Sequence, residues 1–287
     1  MQKVYPREGL GTLCRLFGYS RQAYYQRQKR REKAQIQTGI IVDEVEQIRE
    51  KITRIGGRKL FFMLKDKLLA HGIKIGRDKF FSVLIVNDLL IKPRKKRVMT
   101  TMSKHYLRKY PNLIKDLIVD APNHLWVSDI TYIKVKDKWH YVIFITDAYS
   151  KTVVGYNVSE KADAAFCVQA LEQALEQWTD RQHPLIHHSD RGVQYCSFAY
   201  TGKLKDNEIQ ISMTQSGDPL ENAIAERVNG IFKTDFLMDR TFTSLQEAEK
   251  EILQMVDNYN NLRPHASCDY FTPAQAHQIT GTLAKRW

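Results

Sequence analysis

LWVSDITYIKV at residues 125–135, KDK at 136–138 and WHYVIFIT at 139–146 decide the fold of the larger part of this 287-residue chain. Both long runs are rich in β-branched and aromatic residues, and the charged triplet between them supplies a turn. A third run, Thr152–Val158, follows at short spacing, so the three read as an antiparallel meander. Downstream, Asp163 is placed to cap a helix carrying Phe166, Val168, Leu171, Ala174, Leu175 and Trp178. Leu185–His188 then reads as a short strand, Phe198–Lys205 as a helix, Ile209–Met213 as a strand and Leu220–Phe236 as a long helix. The order β-β-β-α-β-α-β-α joins a meander to two crossover units. It predicts an α/β domain over 122–240, with a five-stranded mixed sheet and helices on both faces. Ser244-Leu245-Gln246-Glu247 is a capping box for one more helix, and 241–287 is read as that helix with a packed tail.

Upstream the texture is helical and basic. Leu10, Leu13, Leu16 and Phe17 recur at helical spacing, Gly18 breaks the run, and Ser20 caps a second helix whose tail carries Lys29 and Arg30. Residues 1–35 are thus expected to form a helical arm of helix-turn-helix type, with Arg21, Lys29 and Arg30 as DNA contacts. Over 40–91 three further helices are expected, marked by Ile41, Val45 and Ile48, by Leu60, Leu64 and Leu68, and by Phe80 and Leu84, with Asp78 capping the third. Their surface offers Arg58, Lys59, Arg77 and Lys79 to a duplex. The block Lys92-Pro93-Arg94-Lys95-Lys96-Arg97 opens a linker over 92–121. Joined to two basic helical units, Arg94, Lys95, Lys96 and Arg97 are expected to contact phosphates.

The charge balance agrees. The chain holds 44 Lys+Arg against 32 Asp+Glu, a formal charge of +12. Residues 1–110 carry +18 and residues 111–287 carry −6, so the first third suits a polyanion. With 43% hydrophobic and 26% charged residues the chain can bury an ordinary core. No apolar run reaches the roughly 20 residues of a membrane span, and the opening residues lack the apolar stretch of a signal peptide. Cys14, Cys167, Cys196 and Cys268 stand far apart, offering neither a C-x-x-C pair nor a disulfide framework. The expectation is a soluble, cytoplasmic protein that associates with the nucleoid.

Three carboxylates stand out by position. Asp129 sits mid-strand, where a carboxylate is costly unless something pairs with it, and a divalent cation is the obvious partner. Asp190 follows directly on a strand, at the carboxyl end where open α/β sheets handle ligands. Glu226 lies on the long helix, whose wheel sets Ile224, Val228, Ile231 and Phe232 opposite Asn222, Glu226, Asn229 and Lys233. That polar face fits a metal ligand beside a nucleic-acid strand, and fits a solvated surface equally well. Asp147 is expected to serve the turn after the second strand rather than the site, because Asp129 should pair near Phe144. Asp235, about 13 Å beyond Glu226 along the helix, is too distant to share a metal. His187 and His188 have no second pair at ligand spacing, which argues against zinc; His188 is expected to meet a phosphate.

Thirty-five residues separate Asp190 from Glu226 and sixty separate Asp129 from Asp190. With that spacing the chain resembles the DDE transposases and retroviral integrases, and most closely the second-frame product of two-frame bacterial insertion sequences. The likeness rests on Trp126-x-x-Asp129-Ile130-Thr131, on His188-Ser189-Asp190-Arg191-Gly192-x-Gln194-Tyr195, on Glu221-Asn222-Ala223-x-x-Glu226 and on Tyr259-Asn260-x-x-Arg263-Pro264-His265 with Thr272-Pro273. Glu221, where aspartate is more usual, and Gly56, where an aromatic is common, depart from the pattern without touching the three carboxylates.

The resemblance implies an RNase H-like core in which Asp129, Asp190 and Glu226 are catalytic. It implies that they hold two Mg²⁺ ions about 3.5–4 Å apart, with Mn²⁺ able to substitute. One ion would activate the attacking oxygen and the other stabilise the leaving oxygen, with no covalent protein–DNA intermediate. The implied activity is binding of terminal inverted repeats followed by strand cleavage and strand transfer. Lys233 would guide the DNA strand, and Asn222 would contact it. Implied partners are double-stranded DNA (element ends and target), a second copy of the chain or more, and a separate first-frame protein, since no leucine-zipper heptad is present. Two other readings share some features: an RNase H-like nuclease, which needs no paired basic helical units, and a DNA-binding regulator with a decayed core, which need not have kept all three carboxylates.

Overall fold

The computed structural model describes residues 8–91, 106–179, 181, 183–215 and 219–284. It divides into two compact units, with boundaries at 48/49, 62/63 and 90/91. Arg94, Lys95, Lys96 and Arg97 lie outside the described residues.

The first unit, 8–48 with 63–90, is helical. α1 (Leu10–Leu16) ends at Gly18, whose φ of +71° turns the chain. Ser20 Oγ accepts from Ala23 N at 3.0 Å and opens α2 (Arg21–Lys51). The expected break between an arm and a separate helix near residues 36–40 is absent: α2 is one helix of 31 residues. Gly39 is the only breaker in that stretch. A lone interior glycine costs about 1 kcal/mol against alanine, too little to end a helix. α3 (Gly57–Ala70) buries Leu60, Leu64 and Leu68, one residue per turn, and closes at Gly72 with φ +71°. α4 (Arg77–Val86) buries Phe80 and Leu84. Its N-cap is Gly76 rather than Asp78; Asp78 sits inside the first turn and accepts from Arg77 Nε at 2.9 Å.

The second unit, 49–62 with 106–284, holds the sheet. The stretch 49–62 was expected to belong wholly with the basic helices. It instead packs here: Arg54 N donates to Asp235 O at 2.8 Å, Asn258 Nδ2 donates to Lys51 O at 3.1 Å, and Phe62 stacks on Tyr270. β1 (Leu125–Val135), β2 (Lys138–Asp147) and β3 (Val153–Ser159) form the meander. α5 (Ala164–Gln177) starts on Asp163, which accepts from Phe166 N at 2.9 Å. β4 (Ile186–Ser189), α6 (Val193–Cys196), α7 (Phe198–Asp206), β5 (Gln210–Met213) and α8 (Ala223–Asp235) follow. The strand order is β3-β2-β1-β4-β5, antiparallel across the meander and parallel beyond it. This is the expected RNase H-like mixed sheet. Two details are additional: a 3₁₀ turn at Pro219–Asn222 precedes α8, and β6 (Thr241–Phe242) pairs with the far end of β1.

β1 is buried on both faces. Trp126 shares a buried cluster with Phe166, Ala170, Leu171 and Tyr195 on one side, while Leu125 and Val127 share another with Ala225 of α8. α5 lies so close to β3 that a Cβ at Gly155 would fall 2.2 Å from Ala170 O. α9 (Leu245–Asn261) is capped by Ser244, and Asn260 bonds both the N–H and the C=O of Val153 on the edge strand. α10 (Pro273–Ala276) ends the regular structure. No helix among the described residues is long and apolar enough to cross a membrane.

Candidate active site

Strand register brings Asp129 and Asp190 level. β1 and β4 are parallel with Val127 opposite His188, and each aspartate stands two residues beyond that pair. Across the other edge of β1, Asp129 is paired with Phe144, as the turn position predicted. The Phe144 ring stacks on Phe232 of α8 with centroids 4.3 Å apart, so α8 covers this part of the sheet. Asn229, also on α8, donates from Nδ2 to Asp129 Oδ2 at 2.8 Å. Glu226 lies one turn before Asn229 and is exposed; Lys233 lies one turn after it and is half-buried. Asn222, the N-cap of α8, donates to Ser128 O at 3.0 Å.

Asp190 is held by its own turn, Oδ1 accepting from Gly192 N at 2.9 Å. A Cβ at Gly192 would stand 3.0 Å from that same oxygen and 3.1 Å from Gln194 Oε1, so a side chain there would press both groups aside by a few tenths of an ångström. Beneath the site, Ser128 Oγ and Tyr195 OH share a hydrogen bond of 2.8 Å, and Tyr200 OH meets His187 Nε2 at 2.9 Å. Ser128 is fully buried and fixed from both sides, which fixes the backbone one residue before Asp129.

Burial and the neighbouring Asp190 push the Asp129 carboxyl up to about 7; the Asn229 hydrogen bond opposes this, and Glu226 adds to it. Burial lowers the Lys233 ammonium, against the attraction of Asp129 and Asp239. The three carboxylates and the lysine therefore sit in one electrostatic field. Among the described residues, no three His, Cys, Asp or Glu side chains are drawn together closely enough to enclose a metal ion. Hydrogen bonds to Asn229 and Gly192 hold the two aspartates instead.

The profile of the integrase core domain matches residues 119–219, and a second integrase core profile matches 207–273. The transposase for insertion sequence element IS629 of Shigella sonnei is 31% identical over 286 residues, covering 97% of this chain and 94% of that protein. The chain belongs to the insertion-sequence transposases. A second relative, the 31 kDa protein of insertion element IS600 from the same organism, is also 31% identical, over 91% of this chain and 96% of its own length. Among solved structures, the catalytic core of HTLV-2 integrase in complex with magnesium aligns at a TM-score of 0.44 and 23% identity, over 55% of this chain and 97% of that one.

In the transposase, the residues expected to touch DNA divide into three groups. Arg21, Lys29, Arg30, Arg58, Arg77 and Lys79 are exposed. Lys59 is half-buried, its ammonium lowered to about 8 by burial and by Arg263 and Arg227, against Asp235. His188 and Asn222 are buried, which corrects their expected role. His188 was read as the last residue of its strand, next to the catalytic end. β4 in fact runs on to Ser189, and His188 faces its cross-strand partner Ser212, with Nδ1 2.8 Å from Oγ. Asn222 spends its amide on Ser128 O and so positions α8 against β1.

Asp147 serves the turn, as expected. It is fully buried and accepts from Asn123 N, Ser150 N and Ser150 Oγ at 2.6–2.8 Å. The contact of Asn229 with Asp129, the support of Ser128 by Tyr195 and the close approach at Gly192 were not assigned from sequence. Helical periodicity placed Asn229 on the polar face but could not say which strand it meets.

Proposed function

We propose that this transposase is a DDE polynucleotidyl transferase in which Asp129, Asp190 and Glu226 carry the cleavage and joining of DNA at the terminal inverted repeats of its element. The observation that carries the reading is the Asp129 carboxyl. It is level with Asp190, just past the end of the neighbouring strand, and within the field of Glu226 on α8; burial first, and then both carboxylates, hold it towards protonation.

Such crowding of like charge fits a divalent cation, which would relieve it. The donors fit Mg²⁺ or Mn²⁺ rather than zinc: all are carboxylate oxygens, the four cysteines are buried, and the nearby His188 is turned onto Ser212. Asp129, Asp190 and Glu226 would hold two such ions, whose chemistry when bound is to activate the attacking oxygen and to stabilise the leaving oxygen at phosphorus. The chain's own groups prepare the site. Asn229 fixes the rotamer of Asp129, the Gly192 amide fixes Asp190, and Asn222 locks the start of α8 so that Glu226 is presented at a set height. Lys233 offers an ammonium to a phosphate on the same helix face without ligating metal. The exposed cations Arg21, Lys29, Arg30, Arg58, Arg77 and Lys79, together with Arg94–Arg97, supply the duplex affinity. Joining requires two ends held together, so the active assembly is a dimer or larger.

The test is divalent-dependent nicking of an inverted-repeat end duplex beside an unrelated duplex of equal length. Nicking confined to the end is the expected result. Equal cutting of both would make the protein a general nuclease, and selective binding without cutting would make it a regulator.

A further inference from the structure

Residues 111–287 carry −6, yet cations gather along one edge of the sheet, where the chain enters this unit. The segment 107–113 lies beside β5: Met213 N donates to Pro111 O at 3.1 Å, and Leu113 N donates to Ser212 Oγ at 2.9 Å. Leu107 and Tyr110 pack against the core there. This anchors Arg108 and Lys109, both exposed, in place. Arg108 Cζ stands 5.2 Å from the centre of the Tyr110 ring, and Lys205 Nζ, from α7, stands 5.7 Å from the same centre. Met213 also meets Cys196 of α6, with the sulfurs 3.6 Å apart, so the anchored segment runs beside the helix that begins at the Asp190 turn. The Cys196 thiol registers both neighbours: burial and Asp190 raise it, while Lys109 and Arg191 lower it.

We propose that Arg108, Lys109 and Lys205, ordered around Tyr110, form a track for the sugar-phosphate backbone of the element-end DNA, leading to Asp190. The chemistry is that of phosphate contact rather than base reading. The aromatic ring already holds two of the cations, and all three side chains are charged donors. The occupant is the element end rather than the target because the segment begins ten residues after the basic block 92–97, which links it in sequence to the exposed cations of the helical unit. A side chain that neutralises a phosphate adds about one to the slope of affinity against salt. The inference rests on the transposase reading above and extends it to residues outside the three carboxylates.

The experiment uses the full chain and a pre-cleaved end duplex, titrated between 50 and 200 mM salt. Arg108→Ala/Lys109→Ala should weaken binding about tenfold at the higher salt and flatten the logarithmic slope by about two; Lys205→Ala should flatten it by about one. Lys205→Arg should restore the wild-type slope. Lys250→Ala, an exposed lysine on α9, should change nothing. On an uncleaved end duplex at saturating concentration, nicking rates should stay within about twofold of wild type, because the track binds and does not react. Variants whose affinity and slope match wild type would overturn the proposal. So would unchanged end binding with a specific loss of target capture in strand transfer, which would give the track to target DNA. A wild-type chain that binds no end duplex would overturn the proposed function itself, and the track with it.

Discussion

At Asp129 the neighbours act in opposite directions. Asp190 and Glu226 push the carboxyl towards protonation, while the Asn229 amide and the Ile130 N–H hold it ionised. Its folded-state value, about 7, lies above the ordinary carboxylate value, so the folded chain binds this proton more tightly than the unfolded chain does. The stability it contributes is complete below about pH 4 and is lost as the pH rises to about 7. In EDTA, Asp129→Asn should therefore gain stability relative to wild type across that window, by on the order of 2 kcal/mol at pH 8. Urea unfolding of both proteins at pH 4 and pH 8 reads this directly, and a difference that does not change with pH would contradict it. At Gly192, the Cβ of an alanine would press on Asp190 Oδ1 and Gln194 Oε1. Gly192→Ala should cut nicking about 10–100-fold with end affinity unchanged, since small displacements of a reacting group are costly. Equal nicking rates would show that Asp190 need not be held.

Among the elements, the sheet was legible in the sequence and several helix boundaries were not. β1, β2 and their register could be read because the Lys136-Asp137-Lys138 turn fixes which residues face each other, Asp129 with Phe144 among them. Asp163 and Ser244 were legible as caps because their partners lie three residues away. The continuity of α2 was missed, since two helices were read where one helix with a buried face at Ile41 and Val45 runs through. β6 has two residues, too few to show a pattern. The fates of His188 and Asn222 were hidden for another reason: their partners, Ser212 and Ser128, lie 24 and 94 residues away and meet them only in the folded sheet. The continuity of α2 has its own test. Nothing lies within 4 Å of a Cβ at Gly39, so Gly39→Ala should stabilise the helix by about 1 kcal/mol and slow amide exchange through residues 36–42. Unchanged or faster exchange would place a break there.

At the scale of the whole molecule, charge and chemistry are divided. Residues 1–110 carry +18, and among the described residues most of their cations sit on helices, while the three carboxylates lie within residues 111–287, which carry −6. End affinity should therefore be mainly backbone electrostatics. With 6–10 phosphates neutralised, it should fall about 10³–10⁵-fold between 50 and 200 mM salt, and filter or fluorescence titration measures it. A shallow dependence would mean that the basic surface faces something other than DNA. The central claim is that Asp129, Asp190 and Glu226 act as one site, and single-turnover nicking of an inverted-repeat end in Mg²⁺ tests it most directly. Asp129→Asn, Asp190→Asn and Glu226→Gln should each lose about 10³-fold or more while binding the end within about twofold of wild type. Nicking by any one of them at a rate comparable to wild type would contradict the assignment.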